Sequence, residues 1–333
     1  MRVAEAFVGS RRFREAALQA SLVDPVRGYG QDRLDHYTQS WDRLEVYNPA
    51  SLPEELPDDV DTLIALGREA FLSHPLAPSQ RWQPILDGEL GSGVDPTTLV
   101  ELEVGDKVLP AQTCATCHSA GAVLGLGNPE LALSPDGSWP RGTVDPTPDD
   151  RDNPTVVPDL RPIRHQAALH AAGTLHNSLA GLSVRIDTLL ITSAEEAHRP
   201  PRIVPVAIAA WLWSLGDTLT EPDLSLPGAS IFEEACAACH ALDGVAAPIA
   251  VELVGTDPEA TRSQTRGTGR YRIPSLRGVS DRPLLLHDAS VGDLRVLLDP
   301  ARVQGGPTPG PHPFGLELSP GERDALLRFL WTL

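Results

Sequence analysis

The sequence predicts an all-α protein made of two fused, related domains with long Pro/Gly-rich loops. Three observations predict it. A short Cys/His pattern occurs twice, at residues 114–118 and 236–240. Each copy is followed by a similar closing segment, Leu212-Trp213-Ser214-Leu215 and Leu330-Trp331-Thr332-Leu333. The apolar segments between them carry helical spacing, while Gly and Pro, 28 and 32 of 333 residues, require long irregular connections.

Residues 1–52 read as an N-terminal extension of one or two helices, with Trp41 and Tyr47 packing back. The first domain spans 53–220 and opens with a helix over 59–72, with Val60, Leu63, Ile64, Ala70 and Phe71 on one face. Residues 73–110 and 134–162 are Pro/Gly-rich and read as loops. Residues 206–215 form a compact apolar helix, and Thr220-Glu221-Pro222-Asp223 reads as the linker. The second domain, 221–333, opens at Pro227-Gly228 with a helix running through Phe232 into Cys236. It closes with a capping box, Ser319-Pro320-Gly321-Glu322, ahead of a helix expected to turn Leu326, Leu327, Leu330 and Trp331 inward. The first Cys of each pattern lies 122 residues apart (114 to 236), and the Leu-Trp pairs lie 118 apart (212 to 330). Gly67-Arg68-Glu69-Ala70-Phe71 and Gly228-Ala229-Ser230-Ile231-Phe232 correspond on the two opening helices.

Hydrophobic residues make up 41% of the chain, so it is globular, yet aromatics are only 5%, low for cores of this size. A large flat apolar cofactor would supply part of the missing volume. The formal charge of −18 argues against nucleic acid as a partner, because phosphates would be repelled. It suits a small basic redox protein, and acidity also serves plain solubility. No apolar run is long enough for a membrane span, and the first residues lack the apolar core of a signal peptide.

All four cysteines fall in the two patterns, Cys114-Ala-Thr-Cys117-His118 and Cys236-Ala-Ala-Cys239-His240. C-x-x-C-H is the attachment motif of c-type haem. Two thiols, two residues apart, reach the two vinyl groups of one porphyrin as thioethers. The adjacent His then lies beneath the iron as its proximal ligand. A redox C-x-x-C has no need of the following His. A zinc site would need further clustered ligands, and no other Cys exists. The reading is therefore two covalently bound haems c, with His118 and His240 on the irons. Such attachment normally happens outside the cytoplasmic membrane, so a periplasmic or otherwise exported location is expected, with the signal removed or upstream.

Residues 60–333 resemble the dihaem cytochrome c peroxidase/MauG family. The resemblance rests on Leu66-Gly67-Arg68-Glu69-Ala70-Phe71, Asn153-Pro154-Thr155, and above all Tyr271-Arg272-Ile273-Pro274-Ser275-Leu276-Arg277-Gly278-Val279 and Leu286-His287-Asp288-Ala289-Ser290. It implies two cytochrome c-like domains with haems facing a common interface, often with Ca²⁺. It implies one electron-accepting haem and one whose exchangeable sixth site meets H₂O₂. It also implies that Arg272 and Arg277 lie near haem propionates, which buried carboxylates would require as cationic partners.

The sequence departs from that family at the sixth ligands. The only Met is Met1, and Ala301 falls near the position of the family's ligand Met. His312, in Pro311-His312-Pro313-Phe314-Gly315, is the candidate replacement, and its flanking prolines would hold the loop rigid. Residues 119–164 contain no His, so His165, His170 and His176 are the candidates for the first iron. His287 reads as structural or near-haem. No match to the family's distal catalytic Glu is evident; Glu195 and Glu196 are the nearest carboxylates. Three readings follow: an oxidoreductase reducing H₂O₂ with electrons from a small donor, a non-enzymatic carrier with six-coordinate haems, or haem-based oxidation of a partner protein.

Overall fold

The computed structural model describes residues 43–333 except 77, 79–81, 88–91, 135, 146–151, 194–197, 263–266 and 304–310. Met1, Trp41, Glu195 and Glu196 fall outside the described residues, as does most of the extension 1–52. Tyr47 does pack back, its ring tilted 55° against His198 with centroids 4.5 Å apart.

Among the described residues are eleven α-helices and twelve strands in six two-stranded sheets. The all-α expectation is thus wrong, and the fold is mixed α/β. The largest departure lies in 73–110, read as loop from its Pro and Gly. Strands β1 (Leu99–Val104) and β2 (Lys107–Gln112) form an antiparallel hairpin pairing Val104 with Lys107. The two-residue turn is Gly105-Asp106, with Gly105 at φ +64°, the left-handed geometry that suits hairpin twist. Residues 134–162 are not plain loop either, since Thr143–Val144 pairs with Thr155–Val156.

Among the described residues, five helices of nine or more residues carry the two cores. These are α1 (Val60–Ser73), α2 (Leu179–Ser193), α3 (Ile203–Ser214), α4 (Pro227–Ala235) and α5 (Pro320–Leu330). Asp59 caps α1 by accepting the Thr62 backbone N–H at 2.7 Å. Helix α3 packs against both α1 and α2, which explains why it is apolar on every side. Its apolar cluster draws on residues from Leu52 to Leu212; a separate cluster from Phe232 to Leu333 joins α4 to α5.

Both halves use the same crossing. A Cβ on Gly67 of α1 would lie 1.9 Å from the Ala207 carbonyl oxygen of α3, and one on Gly228 of α4 would lie 2.1 Å from that of Ala325 of α5. Only glycine lets the backbones approach so closely. One turn along, Phe71 meets Trp211 at 4.5 Å and Phe232 meets Phe329 at 5.4 Å. The buried aromatic of each closing helix is therefore Trp211 and Phe329, each two residues before the Trp of the repeated closing segment. Trp331 is 40% exposed, under the Arg295 guanidinium at 4.5 Å, rather than inward. It follows the last helical residue, where the buried face has already turned away.

Candidate haem-binding sites

The hairpin delivers the first motif. Cys114–Cys117 is a single helical turn with a capping box between Thr113 and Thr116. Both threonine hydroxyls donate to the Thr98 carbonyl, at 2.9 and 3.0 Å, at the foot of β1. His118 is thereby fixed at the end of the turn, its N–H bonded to the Cys114 carbonyl at 3.0 Å. Its Nδ1 donates to the Pro158 carbonyl at 3.1 Å. Burial pushes its pKa down to about 4, so the ring is a neutral imidazole at pH 7.

The second motif is built from a helix end. Cys236 terminates α4, and Ala237–His240 forms the next turn. His240 Nδ1 donates to the Pro274 carbonyl at 2.9 Å, and burial lowers its pKa too. In both rings, committing Nδ1–H to a carbonyl fixes the tautomer that leaves Nε2 for a metal and raises its basicity.

The two acceptor prolines open matching segments 116 residues apart (158 to 274). They are Pro158-Asp159-Leu160-Arg161-Pro162-Ile163 and Pro274-Ser275-Leu276-Arg277-Gly278-Val279. Each runs into a 3₁₀ turn, Ile163–His165 and Val279–Asp281. Each then makes a bend with left-handed residues at equivalent places. His170 and Leu286 have φ +65° and +63°, and Gly173 and Ala289 have +61° and +58°. The equivalence pairs His170 with Leu286.

These segments meet each other, and the contacts are reciprocal. Arg272 N–H donates to the Ala171 carbonyl at 2.8 Å, and Val156 N–H to the His287 carbonyl at 2.7 Å. Ser275 N–H donates to Gln166 Oε1 at 3.1 Å, and Arg282 Nε to Asp159 Oδ2 at 3.3 Å. In each couple the partners exchange places at the 116-residue offset. Arg161, 8% exposed, is held by Asp159 in two hydrogen bonds and by Asp281 of the other half at 2.8 Å.

A third imidazole faces His240. The ring centroids of His240 and His312 are 6.2 Å apart, tilted by 46°. Two metal–nitrogen bonds of about 2 Å, with half a ring at each end, span about 6 Å. The His312 pKa is pushed down to about 4 by burial first, then by His240 and Arg302. Its Nδ1 is buried with no hydrogen-bond partner. The expected rigidity comes less from proline than from Arg302, which donates to the Leu297, Pro311 and His312 carbonyls. His312 N–H is bonded to the Val254 carbonyl at 2.6 Å, and its φ is +55°.

The residues present fit haem c in three further respects. None of the four cysteines is in a disulfide. Burial raises the Cys114 thiol to about 12 and the Cys236 thiol to about 11, so both are neutral SH groups in apolar surroundings. The Arg272 guanidinium has no carboxylate partner among the described residues, and burial, then Arg282, lower its pKa to about 10. Such a cation calls for an anion, and a haem propionate meets that need. Arg277 differs: it is 6% exposed and already donates to the Leu242 carbonyl at 3.1 Å, with Glu221 and Asp243 at 3.4 and 3.5 Å.

The other histidines are dispersed. His165 Nε2 accepts from Arg164 Nε at 3.2 Å, and its pKa is lowered by burial and by Arg277 across the interface. His170 Nδ1 is hydrogen-bonded to Thr174 Oγ1, and His176 is exposed in a two-residue strand. Among the described residues, neither His165 nor His176 touches His118. His287 stacks on Tyr271 at 4.1 Å, with Nε2 2.9 Å from the phenol oxygen. Sequence reasoning missed Asp159, Arg161, Arg282 and Arg302. The repeat of P-x-L-R at 158 and 274 would have revealed the first two. Among the described residues, no group of three His, Cys, Asp or Glu side chains could hold a metal ion such as Ca²⁺. No described helix is long and apolar enough to cross a membrane.

Residues 225–333 match the family model for cytochrome c. This stretch holds the second C-x-x-C-H, α4, α5 and His312. Among solved structures, the diheme peroxidase BthA from Burkholderia thailandensis aligns at 17% identity, over 87% of this chain and 89% of that one, with a TM-score of 0.43. No curated protein matches the chain.

Proposed function

We propose that the chain is a di-haem c-type cytochrome, an electron-transfer oxidoreductase that reduces H₂O₂ with electrons from a small donor protein. The observation that carries this reading is the duplication of one proximal arrangement. Each C-x-x-C-H histidine donates Nδ1–H to the proline carbonyl of a P-x-L-R segment, 116 residues apart (158 to 274). Cys114 and Cys117 would hold one porphyrin and Cys236 and Cys239 the other, with His118 and His240 as proximal ligands. Arg272 would pair with a propionate.

Bound haem supplies one-electron chemistry at iron. The protein's part is to fix two imidazole tautomers, present the two thiol pairs and neutralise propionate charge. Reduction of H₂O₂ consumes two electrons and two protons and yields two waters, so two one-electron centres in one chain match its stoichiometry. The net charge of −18 suits a basic donor, and thioether maturation implies an exported location. A second reading is a non-enzymatic carrier with both haems six-coordinate. It is favoured by the 6.2 Å approach of His312 to His240, which would leave no open site on that iron.

Expression with a c-haem maturation system tests the proposal. Intact mass and the pyridine haemochrome spectrum are expected to give two haems per chain, and one after Cys114→Ala/Cys117→Ala substitution. A bare polypeptide with free thiols would overturn it. Electron paramagnetic resonance of the half-reduced protein, with and without H₂O₂, separates the two readings. A high-spin iron consumed by peroxide supports the enzyme, and two unreactive low-spin irons support the carrier.

A further inference from the structure

The two prolines whose carbonyls hold His118 and His240 are each followed by a residue that Arg282 touches. Arg282 Nε donates to the Asp159 carboxylate at 3.3 Å, and Asp159 follows Pro158. Its terminal nitrogens donate to the Ser275 carbonyl at 2.8 Å and the Arg277 carbonyl at 2.6 Å, and Ser275 follows Pro274. One planar guanidinium therefore spans both supporting loops and binds three acceptors in fixed directions. Asp159 is itself fully engaged, accepting the Arg161 backbone N–H and two guanidinium N–H groups on its two oxygens. Arg282 thus braces the Ser275–Arg277 turn of its own segment and ties that segment to the first half's loop through Asp159.

Nothing about ordinary packing requires this arrangement. The equivalent residue in the first half, at the 116-residue offset, is Gln166, which makes a single bond across the interface to the Ser275 N–H. Arg282 does more than that symmetry demands: it ties the first half's loop to the second half's in one side chain. Burial lowers its pKa, while the charge of Asp159 opposes that shift. The side chain remains a cation held between the halves.

We propose that Arg282 is a positioning residue that couples the hydrogen bonds of the two proximal histidines, and so sets the reduction potentials of both irons together. The proposal rests on the di-haem reading above. A carbonyl held firmly against Nδ1–H makes the imidazole a stronger donor to iron and favours the oxidised metal. If both loops relax, both carbonyls retreat, both imidazoles become weaker donors, and both irons become easier to reduce.

The test is Arg282→Lys in the haem-loaded full chain, because lysine keeps the positive charge but loses the fork that reaches three acceptors. Potentiometric titration is expected to show both midpoints moving to more positive values. Unchanged midpoints, or movement of one alone, would overturn the coupling. A protein carrying no haem fails the earlier reading instead, and its absorption spectrum shows that before any titration. Should Arg282→Lys not fold, Asp159→Asn supplies the same test. It weakens the hold on the first half's loop and leaves the Arg282 bonds to the Ser275 and Arg277 carbonyls. The midpoint of the His118 haem is then expected to rise and that of the His240 haem to stay; the reverse would reject the proposal.

Discussion

His312 presents its ring to His240 across 6.2 Å, at a separation that one metal ion with two imidazole ligands would fill. Replacing His312 with Ala is expected to turn the His240 haem from low-spin to high-spin, read by electron paramagnetic resonance and by the visible spectrum. An unchanged spectrum would remove His312 from the coordination sphere. His312→Met is expected to raise the midpoint of the same haem, since Met ligation raises potentials.

The helix crossings predict a sharp intolerance of side chains at two glycines. The Cβ of Gly228→Ala would sit 2.1 Å from the Ala325 carbonyl oxygen, and that of Gly67→Ala 1.9 Å from that of Ala207. Backbone cannot yield as a side-chain tip can. Each substitution is expected to cost about 1–3 kcal/mol, measured by urea unfolding of the loaded protein. A neutral effect at either site would mean that the helices separate freely.

Ala289 sits at φ +58°, where its counterpart in the first half is Gly173 at φ +61°. An L-residue in this region is strained by about 1–2 kcal/mol, and glycine is not. The flexibility that glycine adds to the unfolded chain offsets part of that relief. Ala289→Gly is expected to raise stability by about 0.5 kcal/mol. A loss of stability would show that the methyl group makes contacts worth more than the strain.

His74 governs part of the acid sensitivity. It is 5% exposed, its Nδ1 is buried without a partner, and its pKa is lowered to about 4 by burial, then by His198. The unfolded chain protonates this group near pH 6.5, and the folded chain only near 4. Its stability contribution is therefore present above about 6.5 and is lost as pH falls towards 4. Between pH 7 and pH 5 the loss is about 2 kcal/mol. His74→Leu should flatten that part of the urea-unfolding profile, and an equally steep profile in the variant would rule the assignment out.

The proposed haem chemistry is legible in the sequence because thioether attachment would demand a fixed spacing, and Cys114, Cys117 and His118 keep it whatever the fold around them. The closing helix was legible through Ser319 and Glu322, whose capping box forms as expected, and the opening one through its apolar spacing, although Asp59, read as its first residue, is its cap. The hairpin 99–112 was not. Its strands carry buried residues at Leu99, Leu102, Pro110 and Ala111, which is not a strict alternation, and a Pro lies inside the second strand. Helix α2 escaped because Asp187 and Ser183 are buried in it and blur the apolar stripe. His312 was legible as a ligand candidate, but Arg302, which holds it, acts through carbonyls that have no sequence signature. Arg161 and Arg282 were hidden for another reason. Their partners Asp281 and Asp159 lie more than a hundred residues away, and only the folded interface brings them together.

The reciprocal bonds between the halves have a consequence for how such a molecule arises and can be taken apart. A surface on which residue i meets residue j while j's counterpart meets i's is self-complementary, as in an isologous homodimer. The contact of Ala171 with Arg272 and that of Val156 with His287 obey this rule through backbone atoms, which side-chain divergence does not erase. Gene duplication followed by fusion would turn such a dimer into one chain, freeing each copy to specialise. The mark of that freedom is the guanidinium at 282 where its twin position, 166, keeps an amide.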